Sequence, residues 1–139
     1  EEIGKLAVSK KLNDIDFIAP VPLHKAKLRD RTYNQSEYIA KGISNILKAE
    51  VINDAVIRSR FTPTQTRLNK AERKLNVSGA FGINPKYTDK LRGKNILLTD
   101  DVITTGATIL ECASALKAAG SGKLCVCSAA YAELKITVV

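Results

Sequence analysis

In Asn95-Ile96-Leu97-Leu98-Thr99-Asp100-Asp101-Val102-Ile103-Thr104-Thr105-Gly106-Ala107-Thr108, an apolar run ends on two adjacent carboxylates and passes at once into hydroxyls and a glycine. A continuous apolar run without polar alternation suits a central parallel strand covered on both faces. In an open α/β sheet, ligands gather beyond the carboxyl ends of such strands. Residues 104–108 offer backbone N–H groups and three hydroxyls at the start of a helix, and Gly106 allows close backbone approach. That composition is a phosphate cradle, helped by the partial positive charge of a helix N-terminus. Asp100 and Asp101 would repel a phosphate; they suit sugar hydroxyls, as acceptors, or a hydrated Mg²⁺. Diol recognition beside phosphate recognition points to a ribose 5-phosphate. The plainer alternative is that Asp101 merely begins a turn and Thr104 caps the next helix.

Working outward, the helix that follows runs through Ile109, Ala113 and Leu116 to a C-cap at Gly120. Leu124–Ala130 reads as a second buried strand, and Ile136–Val139 as a last one. Upstream, Asp16–Ala19 reads as a short strand stopped by Pro20 and Pro22, after a helix-like stretch over 2–12. Asn34, with Glu37 three residues on, resembles a capping box, and Ile39, Ile43, Ile46 and Leu47 recur at helical spacing. Ala55-Val56-Ile57 reads as a strand, residues 66–75 as helix-forming and Val77–Ile83 as extended. Strands alternating with helices predict an α/β fold with a largely parallel central sheet flanked by helices.

The 139 residues suffice for one core, so a single domain over 1–139 is expected. No apolar run approaches the roughly 18 residues that span a bilayer, and no signal-peptide pattern opens the chain. Cys112, Cys125 and Cys127, odd in number, argue against a disulfide scaffold and for a reducing compartment, so the expected location is cytoplasmic. All three read as packing residues, with no further Cys or His to complete a metal set. The chain starts Glu1-Glu2 and has no Met, which suggests a fragment or processed product lacking an N-terminal segment.

The net charge is +8, and its surplus sits on three stretches. Residues 24–31, 58–74 and 86–94 carry +3, +5 and +3, leaving the remainder negative. Each reads either as a solvated loop or as a surface for phosphate groups or nucleic acid.

Residues 96–108 resemble the binding motif for phosphoribosyl pyrophosphate (PRPP) in type I phosphoribosyltransferases. Two more stretches are similar to the ComF-like branch of that family (competence-protein and amidophosphoribosyltransferase-like). They are Pro20-Val21-Pro22-Leu23-His24 with Arg31-Thr32-Tyr33-Asn34-Gln35, and Thr62-Pro63-Thr64-Gln65-Thr66-Arg67-Leu68 with Glu72-Arg73 and Asn76–Phe81. That branch often has Gly where Thr32 stands and often begins with a cysteine-rich zinc-binding segment; here no Cys precedes Cys112.

The resemblance implies a type I phosphoribosyltransferase fold, with Thr104, Thr105, Gly106, Ala107 and Thr108 on the 5-phosphate and Asp100 and Asp101 on the ribose hydroxyls and, directly or indirectly, Mg²⁺. It implies a pyrophosphate loop at Leu23, His24 and Lys25. Residues 58–76 would be a flexible loop in which Arg67 or Arg73 neutralises the leaving pyrophosphate, though both also read as ordinary surface arginines. Asn34-Gln35 reads as a helix cap or as a device orienting the nearby loop. The implied reaction is Mg²⁺-dependent transfer of a phosphoribosyl group to a nitrogenous acceptor, in a protein that could be a homodimer. Two alternatives stand beside it: a non-catalytic PRPP or nucleotide sensor, and a competence factor handling single-stranded DNA during uptake. No dedicated general base is legible, and neither a P-loop nor a GxGxxG fingerprint is present.

Overall fold

The apolar run forms the middle of a five-stranded sheet. The structure, a computed structural model, describes residues 12–23, 32–58, 79–103, 106–129 and 135–138. In chain order the elements are β1 (Phe17–Pro20), α1 (Gln35–Leu47), β2 (Glu50–Val51), β3 (Val56–Arg58) and β4 (Phe81–Ile83). A 3₁₀ turn (Pro85–Tyr87), α2 (Thr88–Leu91), β5 (Ile96–Asp100), α3 (Ala107–Ala118), β6 (Leu124–Ser128) and β7 (Lys135–Val138) complete them. The main sheet has the order β2-β1-β5-β6-β7, and β3 with β4 forms a separate antiparallel ribbon. Four strands of the main sheet run parallel; β7 pairs antiparallel to β6. The sheet is therefore largely parallel and flanked by helices, as the strand–helix alternation requires.

Both faces are covered, and the strands show why their sequences do not alternate with polar residues. On one face Ile18, Leu97, Cys125 and Cys127 pack with Ala40 and Ile43 of α1. On the other, Phe17, Ala19, Ile96, Leu98, Leu124 and Val126 pack with Ile109, Cys112, Ala113 and Leu116 of α3 and with Val56 and Phe81 of the ribbon. A fully buried Leu contributes about 1.5–3 kcal/mol, so Leu97 and Leu98, each at 0% exposure on opposite faces, tie both helical layers to one strand. Cys125 and Cys127 share a face as their spacing predicts, and all three thiols are buried packing groups.

The sequence boundaries shift in small ways. Pro20 ends β1 within the ladder instead of stopping it earlier, opposite Thr99, because a missing N–H is tolerated at a strand's end. The strand expected over Leu124–Ala130 closes at Ser128; of the extended stretch expected over 77–83, Phe81–Ile83 is a strand and 77–78 lie outside the described residues; the last strand is Lys135–Val138. The capping box is half realised: Asn34 caps α1, but its side chain accepts from Ser36 N. Gly120, at φ +85, lies one position past the C-cap Ala119 of α3. The helices expected over 2–12 and 66–75 lie outside the described residues, apart from Leu12.

Among the described residues no helix is long and apolar enough to cross a membrane. The basic stretch 86–94 is not a bare cationic surface. Lys86 pairs with Asp54, Lys90 with Glu50 at 2.7 Å, Arg92 with Asp89 at 3.8 Å and Lys94 with Asp16 at 3.7 Å. Stretch 24–31 and most of stretch 58–74 lie outside the described residues.

Candidate functional site at the ends of β1 and β5

From β1 the chain moves outward through α1 to β2, whereas β5 lies on the other side of β1 and leads through α3 to β6. Strand order therefore reverses between β1 and β5, with α1 and α3 on opposite faces. In an open α/β sheet the carboxyl edge at such a reversal is the usual ligand position. The register Pro20↔Thr99 sets the two strand ends side by side, and Val21 N donates to Thr99 O at 2.8 Å.

Asp100 is the last residue of β5 and Asp101 opens the turn. Asp100 Oδ1 accepts from Asp101 N at 2.8 Å, and Asp101 Oδ1 accepts from Val102 N at 2.8 Å. Burial, together with the neighbouring Asp101, pushes the Asp100 carboxyl up to about 6; the Asp101 amide and Ser36 hydroxyl oppose that shift. A neighbouring carboxylate disfavours the charged form of Asp100, and a cation or hydroxyl donor there would favour it.

Gly106 follows, at φ +79, a left-handed conformation that glycine adopts without strain. It is the N-cap of α3 and brings no side chain to the first-turn amides, where a serine or aspartate would have placed an oxygen over them. Ala107 and Thr108 begin the helix. Ile109 and Cys112, further along α3, are buried against the sheet and fix its N-terminus at this edge. Burial also pushes the Cys112 thiol up to about 12 and that of Cys127 to about 11, so both are inert thiols.

Of the residues singled out in the sequence, Asp100, Asp101, Gly106, Ala107, Thr108 and Leu23 are thus placed on the loops or helix start at one edge of the sheet. Thr104, Thr105, His24, Lys25, Arg67 and Arg73 lie outside the described residues. Asn34 makes a contact of each kind weighed for it: Oδ1 caps α1, and Nδ2 donates to Val21 O, just past β1, at 3.2 Å. Ser36 and Thr99 were not legible as site residues. Thr99 Oγ1 donates to Ser36 O at 3.1 Å, and Ser36 Oγ donates to Asp100 Oδ1 at 3.4 Å. A serine in the first turn of a helix and a threonine within a strand are too common to signal such contacts. Thr32, where the resembling branch often has Gly, takes φ +53, so the turn before α1 has the conformation a glycine would favour.

This fold is that of the type I phosphoribosyltransferases. It superposes on a glutamine PRPP amidotransferase from B. subtilis complexed with ADP and GMP, with a TM-score of 0.57 and 20% identity, covering 89% of this chain and 24% of that one. A second solved structure, described as the allosteric regulatory enzyme of purine biosynthesis, matches with a TM-score of 0.56 and 20% identity over 91% of this chain and 24% of that one. In sequence the chain is a homologue of DNA utilization protein YhgH of Escherichia coli K12, 33% identical over 115 residues, covering 81% of this chain and 49% of YhgH. It is likewise a homologue of competence protein F of Haemophilus influenzae, 32% identical over 105 residues, 76% of this chain and 45% of that protein. The chain spans about half the length of these relatives. No family model matches it.

Proposed function

We propose that the chain binds PRPP at the carboxyl edge between β1 and β5 and transfers its phosphoribosyl group to a nitrogen nucleophile, releasing pyrophosphate. The observation that carries this reading is the Asp100-Asp101 pair at the strand end, immediately followed by a helix start whose N-cap is a left-handed glycine. In it, residues 104–108 hold the 5-phosphate at the start of α3, and the two carboxylates accept from the ribose hydroxyls. The loop beginning at Leu23, with His24 and Lys25, takes the pyrophosphate, and Arg67 and Arg73 bear charge on the leaving group.

Among the described residues no three His, Cys, Asp or Glu side chains gather as a metal cage. Mg²⁺, however, is usually held by one or two carboxylates, with substrate phosphates and waters completing its shell. Asp100 and Asp101 fit that donor set. When bound, the ion would neutralise pyrophosphate charge. The bond from C1 of the ribose to the pyrophosphate oxygen breaks, leaving its electron pair on the pyrophosphate. C1 develops oxocarbenium character as the nitrogen lone pair closes on it, and the nitrogen's proton goes to water. Catalysis in this scheme comes from positioning and from fixed charge around the departing group.

Calorimetry with PRPP and Mg²⁺ on the full chain, paired with an assay for pyrophosphate release, tests the reading. The Asp100→Asn/Asp101→Asn double variant is expected to weaken PRPP binding by about 10–100-fold, the scale on which lost metal-site partners act. Unchanged binding would remove the site. Binding without pyrophosphate release for any nucleobase or ammonia would favour a sensor of PRPP on the same fold.

A second reading, a factor that handles single-stranded DNA, draws support from the names of the relatives, DNA utilization protein and competence protein F. The pairing of the 86–94 cations with carboxylates leaves that stretch little to offer a nucleic acid. DNA affinity that did not fall with added salt would exclude this reading, since phosphate contacts release counterions.

A further inference from the structure

A buried polar side chain left without a partner costs about 1–3 kcal/mol, so where a fold buries such groups is informative. Four are buried among the described residues: Asn34, Ser36, Thr99 and Ser128. Ser128 ends β6 opposite Asp100, and the other three join the first turn of α1 to the ends of β1 and β5. From α1, Asn34 Nδ2 reaches Val21 O at 3.2 Å, in the turn leaving β1. Ser36 O receives the Thr99 hydroxyl at 3.1 Å, and Ser36 Oγ lies 3.4 Å from Asp100 Oδ1, at the turn leaving β5. Capping the helix needs only the Asn34 Oδ1 contact to Ser36 N at 3.0 Å, which serine, threonine or aspartate could equally supply. The remaining bonds dock the start of α1 onto both strand ends at once. Beside the direct Val21 N to Thr99 O bond at 2.8 Å, they give the two turns a shared support.

We infer that Asn34 and Ser36 are positioning residues, clasping the turn after β1 to the turn after β5 so that a ligand bridging both turns meets them already in register. The inference rests on the PRPP reading and deepens it. A ligand with an anionic group at each end gains affinity from engaging both loops at once. That gain depends on the loops being held at the right separation before binding. A ligand that uses one loop alone has no such dependence.

The test is calorimetry of the full chain in Mg²⁺ with three probes: PRPP, ribose 5-phosphate and inorganic pyrophosphate. Asn34→Ser keeps a neutral cap on α1 and removes the amide that reaches Val21. Ser36→Ala removes the long contact to Asp100 without touching the cap. Asn34→Ser is expected to weaken PRPP about tenfold and Ser36→Ala about threefold, while ribose 5-phosphate and pyrophosphate each change by less than about twofold. An equal loss for all three probes would mean general loosening and would overturn the clasp. So would PRPP affinity unchanged in both variants. A wild-type chain that binds ribose 5-phosphate and pyrophosphate but shows no added affinity for PRPP overturns the clasp alone. A wild-type chain that binds none of the three overturns the donor reading itself and the clasp with it.

Discussion

At one end of the sheet Asp14 meets Lys123 Nζ at 2.8 Å and Asp16 meets Lys94 Nζ at 3.7 Å. Asn95 knits the same end together, donating from Nδ2 to Asp14 O and accepting from Lys123 N. At the opposite end, across the length of β5, Asp100 lies beside Asp101 and is met by a backbone amide and a hydroxyl. The residue type is the same and the environments diverge. Its hydrogen bond to Lys123 holds the Asp14 carboxyl below its ordinary range, whereas burial beside Asp101 drives Asp100 up to about 6. The amino end satisfies its charges internally and contributes to holding the fold. The carboxyl end sets two carboxylates side by side at a strand end, one of them pushed toward its protonated form, the arrangement expected where a ligand is bound.

The sharpest way to probe that contrast is at the amino end, through Gly122. A Cβ there would sit 2.7 Å from Asn95 Oδ1 and 2.9 Å from Gly93 O. Because Gly93 O is backbone and Asn95 is held by its own hydrogen bonds, Gly122→Ala should cost about 2–3 kcal/mol in urea unfolding. PRPP affinity of the remaining folded protein should stay near wild type; a selective loss of affinity would show that the two ends are not independent.

Next in size is Asp100→Asn. Between the ordinary 3.8 and about 6 the folded chain keeps a proton on Asp100 that the unfolded chain has released. Stability therefore falls as pH rises through that window, and the penalty is full above it. The carboxylate is partly exposed, and solvent screening holds the figure to about 1–2 kcal/mol. Asp100→Asn is expected to raise thermal stability at pH 7.5 by that amount and to make no difference near pH 3.5, while losing PRPP affinity. A variant less stable than wild type at pH 7.5 would break the contrast.

Thr32 is a smaller case on the site's side. Relief of a left-handed β-branched residue is worth about 1–2 kcal/mol, and the added freedom of glycine in the unfolded chain takes back about 0.5–1. The backbone balance of Thr32→Gly is thus a gain of about 0–1.5 kcal/mol in thermal unfolding, less what the threonine's own interaction contributes; a gain above about 1.5 kcal/mol would contradict this account. Smallest is Asp14→Asn, an exposed pair whose removal should cost less than about 0.5 kcal/mol. Because the Asp14 carboxyl is held low, its contribution is present above 3.8 and disappears as pH falls through the lowered value. Salt should shrink it further, and an effect above 1 kcal/mol, read as a shift in urea midpoint, would contradict its assignment as a surface pair.

Legibility in the sequence followed the same division. The unit from Ile96 to Leu116 could be read because its signals are local: an unbroken apolar run, an Asp-Asp end, a glycine and a helical period. The helix from Asn34 was legible for the same reason. Elements of one turn or two residues, such as Glu50–Val51, Pro85–Tyr87 and Thr88–Leu91, carry too few residues for any period to show. The charge on 86–94 suggested a surface for anions because most of its partners, Asp16, Glu50 and Asp54, are remote in the chain and come near only on folding. Ser36 and Thr99 were invisible for a related reason, since their significance lies in each other and in Asp100 rather than in their neighbours.

The pairing of β1 with β5 carries a further consequence for how the chain comes into being. Phe17 finds Ile96, and Pro20 finds Thr99, across most of the chain's length. Contacts of such separation form late, because a long loop must close before they return anything. On the ribosome, the first of these strands can pack on α1 and β2 as they emerge, but its other edge stays unpaired until the second has been synthesised. Only then do the two strand ends that frame the site meet, and β6 and β7, later still in the chain, extend the sheet beyond them.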